Sequence, residues 1–163
     1  MKQIILIALI FITCSFNSNA QVNPHAIGLR LGGSHYGYYG GEISYQHGFG
    51  DKNRLEIDLG ANNNKHWSYL GLAAIFHWDW NLTAGLNWYI GPGAQIGFWN
   101  NRGDKNYYRG AGLGVGGQIG LEYDFNHHDV PLLLSLDVRP MWDLLYTNYT
   151  YWYGGALGIR YTF

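Results

Sequence analysis

The sequence predicts an all-β protein, an eight-stranded antiparallel transmembrane up-and-down β-barrel preceded by a cleaved signal peptide. Three observations lead there. Apolar residues alternate with small or polar ones in eight successive segments, the period-two signature of strands with two unlike faces. The last ten residues, Gly154 to Phe163, put Leu157, Ile159, Tyr161 and Phe163 on one face and Ala156, Gly158, Arg160 and Thr162 on the other. The connections between segments alternate short and long, as in barrels that span a membrane.

Residues 1–20 form the expected signal peptide. Lys2 gives the positive start, Ile4 to Ile12 the apolar run, and Ser18-Asn19-Ala20 the small residues before cleavage at Gln21. The run is too short for a spanning helix, which needs about 20 residues. Cys14 invites a lipoprotein reading, but Phe11-Ile12-Thr13 lacks the Leu and small-residue pattern that precedes a lipidated cysteine. Cleavage at Ala20 removes this single cysteine, so no disulfide or thiol chemistry is expected in residues 21–163, which form one barrel domain.

Lys and Arg number 10 and Asp and Glu 11, and loss of Lys2 makes the balance one unit more acidic. That excludes a basic nucleic-acid footprint. Glycine at 24, tyrosine at 14 and tryptophan at 7 is too aromatic a mixture for a disordered chain. Mean hydropathy is slightly negative, as follows when only one face of each membrane strand is apolar.

The first segment, Ala26 to Gly33, sets Ile27, Leu29 and Leu31 against Arg30. The second, about Gly40 to Gly48, sets Ile43 and Tyr45 against Glu42, Ser44 and Gln46. The third, Arg54 to Ala61, sets Leu55, Ile57 and Leu59 against Glu56 and Asp58. The fourth, Trp67 to Trp80, carries Leu70, Leu72, Ala74, Phe76, Trp78 and Trp80 opposite Gly71, Ala73, His77 and Asp79.

The fifth, Leu82 to Trp99, is the longest, and Pro92 within it predicts a bulge or a local pairing break because proline lacks a ladder donor. The sixth, Ala111 to Phe125, sets Leu113, Val115, Ile119, Leu121 and Tyr123 against Gln118, Glu122 and Asp124. The seventh, Leu132 to Trp142, sets Leu132, Leu134, Leu136 and Val138 against Ser135, Asp137 and Arg139. The closing strand is the eighth.

An eight-stranded barrel has an interior just wide enough for side chains to fill. The face rich in Gly, Ala and Ser is therefore the inner one, and the Leu, Ile, Phe and Trp face lies outside against lipid. A lipocalin-like soluble barrel would have the opposite polarity. Short turns are expected at His47 to Asn53, Asp79 to Leu82 and Asn126 to Pro131, and longer loops at Ser34 to Tyr39, Asn62 to His66, Asn100 to Gly110 and Asp143 to Tyr151. Short turns belong on the periplasmic side, so both termini are expected there. Trp78, Trp80, Phe125 and Phe163 then mark one aromatic girdle, and Trp67, Phe98, Trp142 and Trp152 the other.

The cleavage region Ser18-Asn19-Ala20-Gln21, the glycine-rich strand Gly110-Ala111-Gly112-Leu113-Gly114-Val115-Gly116 and the ending Gly158-Ile159-Arg160-Tyr161-Thr162-Phe163 give the chain a known likeness. It resembles the small eight-stranded outer-membrane β-barrel proteins of Gram-negative bacteria, the OmpA/OmpX/OmpW-like architecture. The resemblance implies an outer-membrane location and partners in lipid and lipopolysaccharide. It also implies assembly by the barrel-insertion machinery and periplasmic chaperones, with Tyr161 and Phe163 as the assembly signal. Such barrels include anchors, adhesion-related proteins, narrow channels and lipid A-modifying enzymes, and fold does not choose among them.

The inward parity collects Arg30, Glu42, Glu56, Asp58, Asp79, Glu122, Asp124, Asp137, Arg139 and Arg160. Charges in a confined space are costly unless paired, so a salt-bridge plug is expected in preference to a polar path. His77 and Asp79 share a face as a base and orienter would, yet no serine is placed near them and lumen packing explains both. His127-His128-Asp129 lacks a third metal ligand and reads as a solvated turn. Arg102-Gly103-Asp104 spells an adhesion tripeptide beside Lys105 and Arg109, which read more simply as a solvated loop. Asn81-Leu82-Thr83 and Asn148-Tyr149-Thr150 match a glycosylation sequon, a reading that the bacterial-looking export signal disfavours.

The resulting expectation is a non-enzymatic barrel, either a structural envelope protein or a very narrow pore. A lipid A-modifying enzyme and a surface-binding barrel using its Tyr/Trp-rich loops are the alternatives. No catalytic residue, metal site or cofactor is assigned.

Overall fold

The computed structural model describes residues 22–33, 39–63, 67–101, 108–145 and 151–163. The signal-peptide segment, the Arg102-Gly103-Asp104 tripeptide and the Asn148-Tyr149-Thr150 sequon lie outside them. Eight strands follow in order: β1 (His25–Gly33), β2 (Tyr39–Gly48), β3 (Asn53–Asn63), β4 (Trp67–Thr83), β5 (Leu86–Asn101), β6 (Tyr108–Asp124), β7 (Leu132–Asp143) and β8 (Tyr151–Thr162). Each pairs antiparallel with its sequence neighbour, and β1 pairs with β8 to close the barrel. Closure leaves no unpaired edge, the condition under which a sheet can sit in hydrocarbon.

The alternation fixes which face is inside. Leu29, Ile43, Leu59, Leu72, Ile96, Leu113, Leu136 and Leu157 are exposed on the outer surface, Leu157 at 59%. The intervening Arg30, Ser44, Glu56, Asp58, Gln118, Asp137 and Arg160 are buried. A soluble barrel reverses this arrangement, so the lipocalin-like alternative does not describe the molecule.

Glycine makes the inward face fit. Large inward side chains stand directly across a ladder from glycine: Arg30 from Gly158, Glu42 from Gly60, Tyr89 from Gly120, Gln95 from Gly114 and Trp99 from Gly110. A Cβ at Gly120 would run into the Tyr89 ring, and one at Gly158 into the Arg160 guanidinium and the Ser135 hydroxyl. Large residues thus fill a lumen that eight strands leave narrow.

Most strands extend one to three residues beyond the expected bounds, as β6 does in starting at Tyr108, and two ends shift for a visible local reason. The fourth strand runs to Thr83, so Leu82 belongs to β4, and the turn falls at Ala84-Gly85 rather than Asp79 to Leu82. Asn81 holds that end by donating from Nδ2 to the Thr83 carbonyl at 3.0 Å and to Asn87 Oδ1 at 2.8 Å. Gly85 supplies the positive φ of 75° that the turn needs. The sixth strand stops at Asp124, because Phe125–His128 form a single 3-10 turn capped by the Asp124 carboxylate.

The pairing break expected at Pro92 lies on one side only. The β4–β5 ladder has no pairs between Ile75↔Gly93 and Trp78↔Ile90, while β5–β6 continues through Pro92↔Gly117. Register is unchanged across the gap, so a proline without an N–H interrupts hydrogen bonds without inserting a bulge. Pro140 marks a matching gap in β6–β7, between Gly116↔Met141 and Ile119↔Val138.

Gly85→Ala is expected to destabilise the barrel by about 1–2 kcal/mol through left-handed backbone strain. Its Cβ would also lie 2.8 Å from the Asp124 carbonyl oxygen. The midpoint of urea unfolding in detergent micelles reads the effect.

Candidate functional site

Most charged residues of the inner face gather into two ionic clusters along the lumen, the larger built on Arg30, Arg139 and Arg160. Strand pleat aims each inward, and the tilt of barrel strands brings together residues far apart in sequence. Arg160 is fully buried. Its Nη2 meets Glu56 Oε2 at 2.8 Å, its Nη1 donates to Ser135 Oγ at 2.8 Å and its Nε to Ser44 Oγ at 2.9 Å. Arg139 Nη2 pairs with Asp58 and, at 3.2 Å, with Glu56 Oε1, while its Nε donates to Gln118 Oε1 at 2.9 Å. Arg30 joins Glu42 at 2.7 Å on one side and Asp137 on the other.

Glu56 is the hub. Besides two arginines it accepts from Gln46 Nε2 at 2.6 Å and Gln118 Nε2 at 3.1 Å. A carboxylate has about four lone-pair sites, and Glu56 uses its two oxygens on four donors. That satisfaction is what makes a buried charge tolerable.

A second cluster occupies the terminus-bearing half of the lumen. Arg54 pairs with Glu122 at 2.6 Å and Asp79 at 3.3 Å, donates from Nε to His77 Nδ1 at 3.3 Å, and lies 4.6 Å from the Tyr89 ring centroid. His77 and Asp79 therefore both engage Arg54. Glu122 pairs here, away from Arg30, Arg139 and Arg160. Arg54 and Tyr89 were absent from the sequence-derived set, although both sit on inward parity, Arg54 two residues before Glu56 and Tyr89 between the outward Trp88 and Ile90.

Two residues of that set sit less deeply. Glu42 keeps 17% of its side chain exposed between Arg30 and Arg139. Asp124 lies at the rim, where it accepts from Asn23 Nδ2 at 2.8 Å and caps the 3-10 turn through Asn126 N–H at 2.9 Å. A short turn puts it beyond the confined lumen, so it takes neutral partners.

Of the aromatic residues assigned to girdles, Trp78, Phe98, Trp142 and Phe163 are exposed outward. Trp80 stacks on Trp88 with centroids 4.6 Å apart. The side chains of Trp67 and Trp152 lie outside the described residues. At the loop-bearing rim Ser68, Tyr69, Leu70, Phe98, Trp99, Asn100 and Gly110 line a cleft of about 390 Å³.

No protein-family model matches the sequence, and no curated protein matches it. Likeness appears at the level of structure. The N-terminal β-barrel domain of Pseudomonas aeruginosa OprF, 18% identical, superposes with a TM-score of 0.66 over 88% of this chain and 100% of that one. Ail, the attachment invasion locus protein of Yersinia pestis, is 12% identical, with a TM-score of 0.50 over 85% of this chain and 96% of that one. The chain thus has the closed eight-stranded up-and-down fold of the small outer-membrane barrels.

Proposed function

We propose that the protein is a non-enzymatic structural barrel of the outer membrane, its lumen closed by ion pairs, with both termini in the periplasm. One observation carries this reading: between the two rims the outward strand faces are apolar while the inward face is charged, paired and buried. An apolar surface wrapping a whole molecule is stable only in lipid. The short links at Phe49 to Lys52 and Ala84-Gly85 sit at the same end as the termini, which supports the periplasmic assignment.

The experiment is fractionation followed by gel mobility. The protein is expected in the outer-membrane fraction, released only by detergent, and slower on a gel after boiling than before. Recovery in the soluble fraction without detergent would end the reading.

Lipid and lipopolysaccharide are the partners this placement implies, and the barrel-insertion machinery and periplasmic chaperones are the assembly partners. Phe163 stacks on His25 at 5.4 Å and its N–H donates to the His25 carbonyl at 3.0 Å, so the last residue seals the β1–β8 seam. Deleting Phe163 is expected to lower outer-membrane levels severalfold while export to the periplasm persists, as immunoblots of the two fractions will read. Normal outer-membrane levels would remove Phe163 from the assembly signal.

A second reading, surface binding, draws on the aromatic cleft at Tyr69 and Trp99. The enzyme reading has less support, since His77 and Asp79 turn to Arg54 and neither is paired with a nucleophile among the described residues.

A further inference from the structure

The first ladder position at the terminus-bearing rim puts two histidines side by side. Gly48 N–H donates to the Pro24 carbonyl at 2.9 Å. Positions 24 and 48 are therefore a hydrogen-bonded pair, and the next, His25↔His47, is the closely spaced kind whose side chains approach most. Tyr45 lies on the same face two residues along β2, diagonal to His25 and within reach of a long side chain.

The donor atoms converge. His25 Nδ1 and His47 Nδ1 are 3.3 Å apart, and the Tyr45 hydroxyl oxygen is 2.8 Å from His25 Nδ1. Two nitrogens on a tetrahedral zinc ion, at Zn–N of about 2.0–2.1 Å, are separated by about 3.3–3.4 Å. We propose that His25, His47 and Tyr45 form a binding site for a tetrahedrally coordinated divalent transition-metal ion, Zn²⁺ foremost, on the outer face of this rim. The two imidazoles bind through Nδ1 and carry their proton on Nε2. The tyrosine oxygen is the third donor, its phenolic proton released to solvent as the metal binds, and water is the fourth.

Packing fixes the ligands. His25 is stacked against Phe163 at 5.4 Å and faces Tyr45 at 6.2 Å, and Phe49 meets His47 edge-on at 4.7 Å. Rings held this way need little reorganisation to chelate. Among the described residues no three His, Cys, Asp or Glu side chains gather around one point, so the third ligand here is a tyrosine. The sequence-adjacent His127 and His128 lack this convergence: their rings stand at 70°, and His128 Nε2 lies 3.0 Å from the Tyr123 hydroxyl. A metal at the first pair would tie β1 to β2 beside the last residue of the chain.

The test is isothermal titration with zinc chloride of untagged protein folded in detergent micelles, each variant checked by its unboiled gel band. One equivalent is expected to bind. His25→Gln and His47→Gln are each expected to weaken binding by about tenfold or more, a loss readily separated from scatter. Tyr45→Phe weakens it by a smaller factor, and the double variant His127→Gln/His128→Gln leaves it unchanged. Absence of zinc binding, undiminished binding in the two single histidine variants, or loss confined to the His127/His128 variant overturns the site. Unchanged affinity in Tyr45→Phe overturns the three-donor arrangement.

Discussion

Arg139→Ala is expected to cost about 3–5 kcal/mol of stability, the range for breaking one partner out of a buried ion pair. Arg139 serves Asp58, Glu56 and Glu42 at once and anchors Gln118. Without it Glu56 retains Arg160 and Glu42 retains Arg30, but Asp58 loses its arginine inside the lumen. Asp58 is 1% exposed, so bulk water cannot substitute without opening the barrel. Arg139→Lys is expected to recover only part of the loss, because an ammonium is a point charge and cannot fork between carboxylates. Urea unfolding in micelles, followed by tryptophan fluorescence, measures both. A cost below about 1 kcal/mol, the worth of a surface pair, would show that the network does not hold the lumen together.

Gly28→Val is expected to weaken closure of the barrel and lower the share of compact molecules. Gly28 pairs with Arg160 across the β1–β8 seam, and a Cβ there would overlap the Ile159 carbonyl oxygen and the Arg160 Cα. Overpacking of this kind costs about 1–3 kcal/mol and occasionally more. Here the atoms in the way are backbone, which cannot rotate aside. Any relief must come from moving β8, whose ladder with β1 closes the barrel and also positions Arg160. The compact unboiled gel band reads closure. Gly41→Val is the control: it lies on the outer face, where a Cβ meets only a Leu31 methyl carbon at 3.3 Å. Equal compact bands for both variants would mean that the seam tolerates side chains, and that Gly28 is there for another reason.

Strand existence and facing were legible in the sequence because one period governs the whole chain. Leu29, Leu31 and their counterparts need an apolar surrounding while Arg30 and its counterparts need partners, and a one-residue slip would exchange them. Boundaries were less legible. Asp79 to Leu82 looks like a turn by residue type, yet β4 and β5 remain paired to Thr83↔Leu86, and Gly85 decides where the chain reverses.

Membership of the inner face was readable, but partnership was not. Arg30 meets Asp137 across 107 residues and Arg160 meets Glu56 across 104, contacts fixed by strand stagger rather than local pattern. Arg54 is hard to place from sequence because it opens a strand, where a charge ordinarily signals the end of an apolar span. The tilt carries it inward to Glu122 and Asp79 instead. His25 and His47 lie 22 residues apart, and only the hairpin register sets them side by side.

The central claim is that side-chain ion pairs close the lumen, and single-channel recording in a planar lipid bilayer tests it most directly. Folded wild-type protein is predicted to add no stepwise conductance at neutral pH, whereas Arg139→Ala, which enlarges the excess of carboxylates over arginines inside, is predicted to open a small cation-selective leak. Frequent large conductance steps from the wild-type barrel, unchanged by Arg139→Ala, would contradict the account.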